Sequence, residues 1–245
     1  MHLANVPTAA PIAAATNTLA VPADVRARLD AAVREGRDEA EGWARIHPTG
    51  STKRFRADAI ARVTPPPSGD AAAADLQGVR DAMNARTDAG IQRAQHLAAT
   101  TAWDDFGRVI SDIGHSQGPE QAKRAARLVQ LAASRTDEIT SVIKRSFGRK
   151  RPYEIDATIK PVVTRPDGNA SYPSGHTSGA YAAALVLAAL APERAAEIVD
   201  MAAEVGYSRV YGGVHFPSDV LMGARIASAV VTDVLRREAA GLPPR

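Results

Sequence analysis

Apolar residues recur along this chain at the spacing of an α-helix. Within residues 22–45, Val25, Leu29 and Val33 follow one another at four-residue steps, and a proline suits the start of such a helix. No stretch alternates apolar and polar residues as a strand would. After Pro119 a longer stripe places its apolar side chains on one helical face, namely Ala125, Leu128, Val129, Ala132, Ile139, Val142 and Ile143. The pattern predicts an all-α protein.

Breaks in this pattern set the ends of the predicted elements. Three consecutive prolines cannot lie inside a helix, so residues 64–70 are predicted to be a loop, and residues 152–173 are irregular. The predicted helices cover residues 22–45, 52–63, 71–113 (one or two helices), 119–147, 174–191, 193–209 and 217–240.

The predicted organisation is a single-domain multi-helix bundle. Residues 70–245 form its helical core, and residues 21–69 are a helical segment and proline-rich loop that pack on it. Residues 1–20 contain no Lys or Arg and so lack the positive region of a secretory signal. We expect them to be a disordered leader.

Composition narrows the classes of function. Alanine supplies much of the 45% hydrophobic content, which favours helices. The net charge of +3 allows an anionic small ligand but does not indicate nucleic acid, and we interpret the basic stretch at 51–56 as a solvated helix face. The absence of cysteine excludes disulfides and thiolate metal sites. The longest apolar run, 180–191, is shorter than the roughly 20 residues that cross a bilayer, so we expect no membrane span.

The predicted long helix runs into the basic stretch KRSFGRKRP. Lys144 and Arg151 are seven residues apart, nearly two helical turns, so we expect their side chains to share a face. Pro152 disfavours a helical conformation at Arg151 and would end the helix there. A solvated basic helix terminus explains the same residues.

The next predicted helix begins in YPSGHTS. Ser174 is a candidate N-cap, and Gly175 and His176 belong to a first turn whose free N–H groups and positive dipole end favour an anion. A histidine cation is disfavoured at that end unless an anion lies beside it. Ordinary helix capping is the alternative.

The stretch SRVYGGVHFPSD joins the last two predicted helices. Arg209 ends one helix, and Gly212 and Gly213 permit a sharp turn before His215. Asp219, in the first turn of the following helix, can reach one imidazole nitrogen and fix the tautomer, which leaves the other nitrogen free as a nucleophile or base. A glycine-rich turn with a capping aspartate is the alternative.

Together the motifs supply three cations, a helix N-terminus, two histidines and a carboxylate. Such a set suits phosphoryl transfer, in which positioning and electrostatic stabilisation do most of the catalysis. The wider phrase SYPSGHTS and the frame around residues 208–231 most resemble the bacterial class A non-specific acid phosphatases. Three spacings resemble the tripartite signature of the type 2 phosphatidic acid phosphatase superfamily: Lys144-x6-Arg151-Pro152, Pro173-Ser174-Gly175-His176 and Arg209-x5-His215-x3-Asp219.

The resemblance implies an acid phosphatase that hydrolyses phosphomonoesters through a phosphohistidine, with phosphotransfer to alcohols as an additional activity. In it His215 attacks phosphorus, Asp219 orients His215, and His176 protonates the leaving oxygen. An ordinary histidine pKa of about 6.5 suits that acid at acidic to neutral pH. The residues implied to bind the phosphoryl oxygens are Lys144, Arg151, Ser174, Gly175 and Arg209.

The resemblance also implies that no metal or cofactor is needed, that phosphate or vanadate inhibits, and that the protein is periplasmic or secreted. Two other functions use the same residues: a vanadate-dependent haloperoxidase-like enzyme, and a non-catalytic phosphate-binding or effector module. Alanine-rich helical faces would also allow a homo-oligomer.

Overall fold

The computed structural model describes residues 18–100, 102–166 and 168–242, and those ranges contain helices and loops but no strand. The all-α, multi-helix prediction is confirmed. A 3-10 turn at Pro192–Arg194 precedes the ninth helix. The α-helices are α1 Ala23–Ile46, α2 Thr52–Ala61, α3 Gly69–Asn84, α4 Asp88–Ala99, α5 Ala102–Gln117, α6 Pro119–Phe147, α7 Pro152–Ile155, α8 Gly175–Leu190, α9 Ala195–Tyr211 and α10 Pro217–Ala239.

Helix α8 lies at the centre of the core and packs against α6, α9 and α10. Most of its residues from Thr177 to Leu187 are buried, and many of them are alanine, whose small side chain allows neighbouring helices to come close. Helix α1 lies along α10, α5 packs against α6 and α8, and α3 and α4 cover α9. The N-terminal end of α8 is therefore surrounded by the ends of other helices.

The region 71–113, predicted as one or two helices, belongs to three. Thr87 caps α4 by accepting a hydrogen bond from the N–H of Gly90 at 3.1 Å. Thr100 is extended, with φ −89° and ψ 160°, and ends α4 before α5 begins. The prediction is wrong here because a side-chain cap at Thr87 and an extended backbone at Thr100 interrupt an apolar pattern that itself continues.

Helix α6 ends before Arg151 and not at it. Gly148 follows the last helical residue, Phe147, in a left-handed conformation with φ 56°, and its N–H bonds the carbonyl of Lys144 at 2.9 Å. Arg151 is extended, with φ −81° and ψ 160°, and caps the short helix α7. The prediction that Lys144 and Arg151 share one helical face is therefore wrong, because a glycine cap ends the helix between them.

Residues 1–17 of the predicted leader lie outside the described part of the chain. Leu19 is buried, and its N–H donates to a carboxylate oxygen of Glu204 at 2.5 Å. The same carboxylate accepts two hydrogen bonds from Arg93, at 2.8 and 2.6 Å. These bonds attach the chain before α1 to α4 and α9.

Candidate active site

The first turn of α8 forms one wall of the site. Ser174 is its N-cap, as predicted, since its hydroxyl accepts from the N–H of Thr177 at 3.4 Å and from the Thr177 hydroxyl at 2.9 Å. Ser174 is fully buried, and its own N–H bonds the carbonyl of Asp219 at 2.9 Å. A Cβ on Gly175 would lie 4.0 Å from the Lys144 side chain. The positive end of α8 and the Lys144 ammonium therefore occupy the same corner of the fold.

His215 and Asp219 make the predicted contact. The Nδ1 atom of His215 lies 3.1 Å from Oδ2 of Asp219, and both side chains are buried. On the other side of the ring, Nε2 lies 3.1 Å from Nη1 of Arg151. Because a guanidinium only donates, Nε2 must be the accepting nitrogen and Nδ1 must carry the proton. The neutral ring thus presents the Nε2 lone pair on the side of the cations.

Two of the three predicted cations are anchored on one loop. Lys144 Nζ donates to the carbonyl of Ala170 at 2.6 Å, and Arg151 Nε donates to that of Asn169 at 2.9 Å. Arg151 Nη1 also donates to the carbonyl of Val214 at 2.7 Å. The two side chains therefore converge as predicted, but through the 169–171 loop.

Arg209 supplies the third cation from the last turn of α9. It is 1% exposed, and neither Nε nor Nη1 has a hydrogen-bond partner within the described residues. Its carbonyl accepts the N–H groups of Val214 and His215, both at 3.2 Å, so the same residue shapes the loop that carries the histidine. A buried guanidinium with unused donors is a candidate for binding an anion.

The electrostatics of the site favour an anion. Burial, and then the charge of Arg151, lowers the pKa of Lys144 to about 8 and that of Arg209 to about 10. Burial also lowers the pKa of His215 well below its usual value, which keeps the ring neutral although Asp219 is close. A bound oxyanion would offset the repulsion among these cations.

His176 lies at the exposed rim of the site, in the first turn of α8. Crowding around the ring, and then the charge of Arg209, lowers its pKa to about 4, while the backbone of Ala98 at the end of α4 acts in the opposite direction. The sequence-based expectation of an ordinary histidine pKa is therefore wrong for this site without a bound anion, because the ring is partly shielded from water and because three cations lie near it.

Three side chains that hold the Asp219 carboxylate or its partners were not predicted from the sequence. Ser171 donates its hydroxyl to Asp219 Oδ2 at 2.5 Å, and Arg149 Nη1 donates to Oδ1 at 2.7 Å. Asp75 of α3 binds the other end of Arg149 at 2.7 Å. Arg149 lies within the basic stretch and was not distinguished from its neighbours, whereas no sequence pattern links Asp75 to the site.

No group of three or more His, Cys, Asp or Glu side chains in the described ranges is arranged to hold a metal ion. The charged groups that meet at His215 Nε2 and at the α8 N-terminus are instead arginine and lysine.

Known phosphatases are similar in sequence to this chain. A model of the PAP2 superfamily matches residues 127–238. An acid phosphatase from Zymomonas mobilis subsp. mobilis is 28% identical over 198 residues, which are 74% of this chain and 70% of that protein. A non-specific acid phosphatase from Providencia stuartii is 32% identical over 151 residues, 59% of this chain and 60% of that protein. The chain thus spans less than two thirds of the Providencia protein.

Two solved structures share the fold. A transmembrane PAP2-type phosphatidylglycerolphosphate phosphatase from Bacillus subtilis has a TM-score of 0.54 at 20% identity, covering 77% of this chain and 94% of its own. A bacterial vanadium-dependent iodoperoxidase has a TM-score of 0.59 at 20% identity, covering 71% of this chain and 52% of its own. Of the helices described in this chain, none has both the length and the apolar character to cross a bilayer. The part of the chain that carries the candidate site, residues 127–238, is thus similar to the PAP2 superfamily.

Proposed function

We propose that this protein is a phosphoric monoester hydrolase, an acid phosphatase that uses His215 as its nucleophile. The observation that carries the proposal is the placement of the His215 ring between Asp219 at Nδ1 and Arg151 at Nε2. This arrangement leaves an unprotonated nitrogen beside a guanidinium that can bind the oxygen atoms of a phosphoryl group.

In the proposed complex the phosphoryl oxygens bind to Lys144, Arg151 and Arg209. The unused donors of Arg209 and the shared anchoring of Lys144 and Arg151 support these roles. Ser174 and the N–H of Gly175 add the positive end of α8. Binding would exchange repulsion among buried cations for charge-assisted hydrogen bonds.

In the first step His215 Nε2 attacks phosphorus, and the bond from phosphorus to the leaving oxygen breaks. Protonated His176 donates its proton to that oxygen, so the alcohol leaves neutral. Asp219 stabilises the positive charge that develops on His215 through the Nδ1–H bond. The product of this step is a phosphohistidine.

In the second step water attacks phosphorus and neutral His176 accepts a proton from it. The N–P bond breaks, and inorganic phosphate leaves with His215 restored. An alcohol in place of water would yield a new phosphomonoester, which is the proposed phosphotransferase activity. His176 thus acts as acid and then as base.

We propose that this chemistry is independent of metal ions. In many phosphoryl-transfer enzymes Mg²⁺ neutralises the charge that develops on the transferred group. Three fixed cations and a helix N-terminus would serve that purpose here. The requirement is testable, because a chelator removes metal ions but leaves arginine and lysine unchanged.

The test is hydrolysis of p-nitrophenyl phosphate by the full chain, with and without EDTA. We expect full activity in EDTA and none in His215→Ala, whereas His115→Ala, which alters an exposed histidine on α5, should be as active as wild type. Wild type quenched in alkali should retain a phosphoryl label that acid releases. A loss of activity in EDTA would contradict the metal-independent mechanism. A His215→Ala variant that is active and retains the phosphoryl label would contradict the assignment of the nucleophile.

A further inference from the structure

The Asp219 carboxylate is held by more groups than His215 alone. Its Oδ2 accepts from the Ser171 hydroxyl at 2.5 Å and from the N–H of Phe216 at 2.9 Å, besides contacting the imidazole. Its Oδ1 accepts from Arg149 at 2.7 Å, and the carboxylate is fully buried. The orientation of Asp219 therefore depends on both oxygens, and only one of them contacts the histidine.

Arg149 connects this carboxylate to a second one. Its Nη2 donates to Asp75 Oδ2 at 2.7 Å, and its guanidinium lies 3.7 Å from the centre of the Phe216 ring. The Arg149 and Asp75 side chains are 11% and 5% exposed. A planar guanidinium that is stacked on a ring and bonded to two carboxylates has little freedom to move.

Asp75 also binds the residue next to Asp219. Its Oδ1 accepts the N–H of Ser218 at 2.9 Å, and its Oδ2 accepts the Ser218 hydroxyl at 2.5 Å. Ser218 is in the first turn of α10, where backbone N–H groups have no partner within the helix. Asp75 thus holds the start of α10 and the far end of Arg149 at once.

Charged side chains lie close to the His215–Asp219 pair. His215 is faced by Asp219 from α10, by Arg151 before α7 and by Lys144 from α6, and Arg149 faces Asp219 from the opposite side. Burial alone would raise the pKa of Asp219, but the hydrogen bonds from His215 and Ser171 and the charge of Arg149 outweigh it and keep the group ionised. Arg149 also forms an ion pair with Asp75, which partly offsets its charge.

We propose that Arg149 and Asp75 are positioning residues for the reaction: through Asp219 they fix the orientation of His215 and hold it as the Nδ1–H tautomer. The inference rests on the proposed function, since it assumes that His215 is the nucleophile. On this inference α3 contributes a positioning residue to the site, although α3 precedes the segment 127–238 that matches the family model.

The first test compares Arg149→Gln and Asp75→Asn with wild type in the full chain. In both variants kcat should fall about ten- to a hundred-fold, as when outer-shell partners of metal ligands are removed. KM should change little, because neither side chain belongs to the proposed phosphate-binding set. A purely structural role would lower the active fraction, measured by the alkali-stable label, and not the turnover per labelled site.

The pH dependence separates the two variants. Without the Arg149 cation, Asp219 would stabilise protonated His215 more strongly, so the acidic limb of kcat/KM should move to higher pH in Arg149→Gln. Without the Asp75 anion, Arg149 would be a stronger cation, so the limb should move to lower pH in Asp75→Asn. ¹⁵N NMR of the imidazole should report less of the Nδ1–H tautomer in Arg149→Gln.

The control is Arg80→Gln, which removes an ion pair of similar length between α3 and Asp156 without contacting Asp219. It should retain the kcat and the pH profile of wild type. If Arg149→Gln does not fold, Arg149→Lys provides the test: it keeps the charge but cannot bond both carboxylates in one plane, so kcat should fall with no shift of the limb.

Two results are distinguishable. Wild-type kcat, pH profile and tautomer in folded Arg149 and Asp75 variants would overturn this inference and leave the proposed function intact. An inactive wild type, or an active His215→Ala, would overturn the proposed function itself.

Discussion

Lys144 and Ala170 are 26 positions apart, yet the ammonium of one donates to the carbonyl of the other at 2.6 Å. This bond holds the Lys144 side chain beside the first turn of α8. The ammonium has no carboxylate bonded to it in the described structure. Its charge is therefore available to an anion that binds at the helix N-terminus.

The lowered pKa of Lys144 predicts a pH dependence of phosphate binding. With a pKa of about 8, the free protein loses this charge as the pH rises through 8, whereas an arginine stays charged. Inhibition by inorganic phosphate should therefore weaken more steeply between pH 7 and pH 9 in wild type than in Lys144→Arg. The comparison uses the ratio of the two inhibition constants at each pH, which cancels the ionisation of phosphate. A constant ratio would contradict the prediction.

Replacing Asp219 by Asn should reduce turnover far more than binding. The amide keeps the shape but can donate to Nδ1, which would put the ring proton on Nε2, where it faces Arg151. We expect kcat to fall about 10⁴-fold, as for the equivalent change in a serine protease triad, with KM little changed. Steady-state kinetics with p-nitrophenyl phosphate measure both constants. A large rise in KM with unchanged kcat would show that Asp219 serves binding instead.

The proposed role of His176 as general acid predicts a dependence on the leaving group. In His176→Ala, hydrolysis of an alkyl phosphate should slow about 10²- to 10⁴-fold, whereas p-nitrophenyl phosphate should be much less affected because nitrophenolate leaves without a proton. Equal losses on both substrates would contradict the role.

The pKa of His176 also fixes the sign of its pH effect. The acid must be protonated, so activity falls as the pH rises through its pKa. Crowding around the ring and the nearby cations lower that pKa to about 4 in the free site, and a bound phosphoryl dianion would raise it. The basic limb of kcat should therefore lie at higher pH than that of kcat/KM in wild type, and both limbs should disappear in His176→Ala. Coincident limbs would argue against control by a bound anion.

The turn that carries His215 predicts a loss of stability in Gly213→Ala. Gly213 has φ 77°, a region that costs other residues about 1–2 kcal/mol. A Cβ there would also lie 3.0 Å from Nη2 of Arg86, whose other nitrogens bond the carbonyls of Tyr211 and Lys160. We expect the free energy of unfolding to fall by about 2 kcal/mol, measured by denaturant titration. Gly241→Ala is the control: it has φ 62° but open space around the Cβ, so its loss should be smaller.

The spacing of residues predicted the local parts of the site better than the distant ones. The contact of His215 with Asp219 and the cap at Ser174 each lie within one helical turn, where chain geometry leaves few alternatives. The convergence of Lys144 and Arg151 was predicted from a shared helical face, but a left-handed glycine and a loop bring them together. The spacing of apolar and polar residues does not indicate where such a loop lies.

Side chains that are far apart in the sequence were not predicted to bond one another. Asp75 is 143 positions from Ser218, and its carboxylate on α3 looked like any polar side chain of an amphipathic helix. Its burial depends on how α3 meets α9 and α10, which is a property of the tertiary packing. The lowered pKa of His176 has the same origin, because it arises from shielding of the ring from water and from cations on separate elements, both of which depend on the tertiary packing.

The first turn of α8 is the proposed anion-binding end of that helix, while the rest of it is buried among α6, α9 and α10. A shift of this first turn would therefore require the centre of the molecule to repack. The side chain of His176 in the same turn is exposed at the rim, so the side chain can be changed without such repacking. Altering the substrate preference of such a protein is a matter of redesigning the entrance, and the innermost helix can be left as it is.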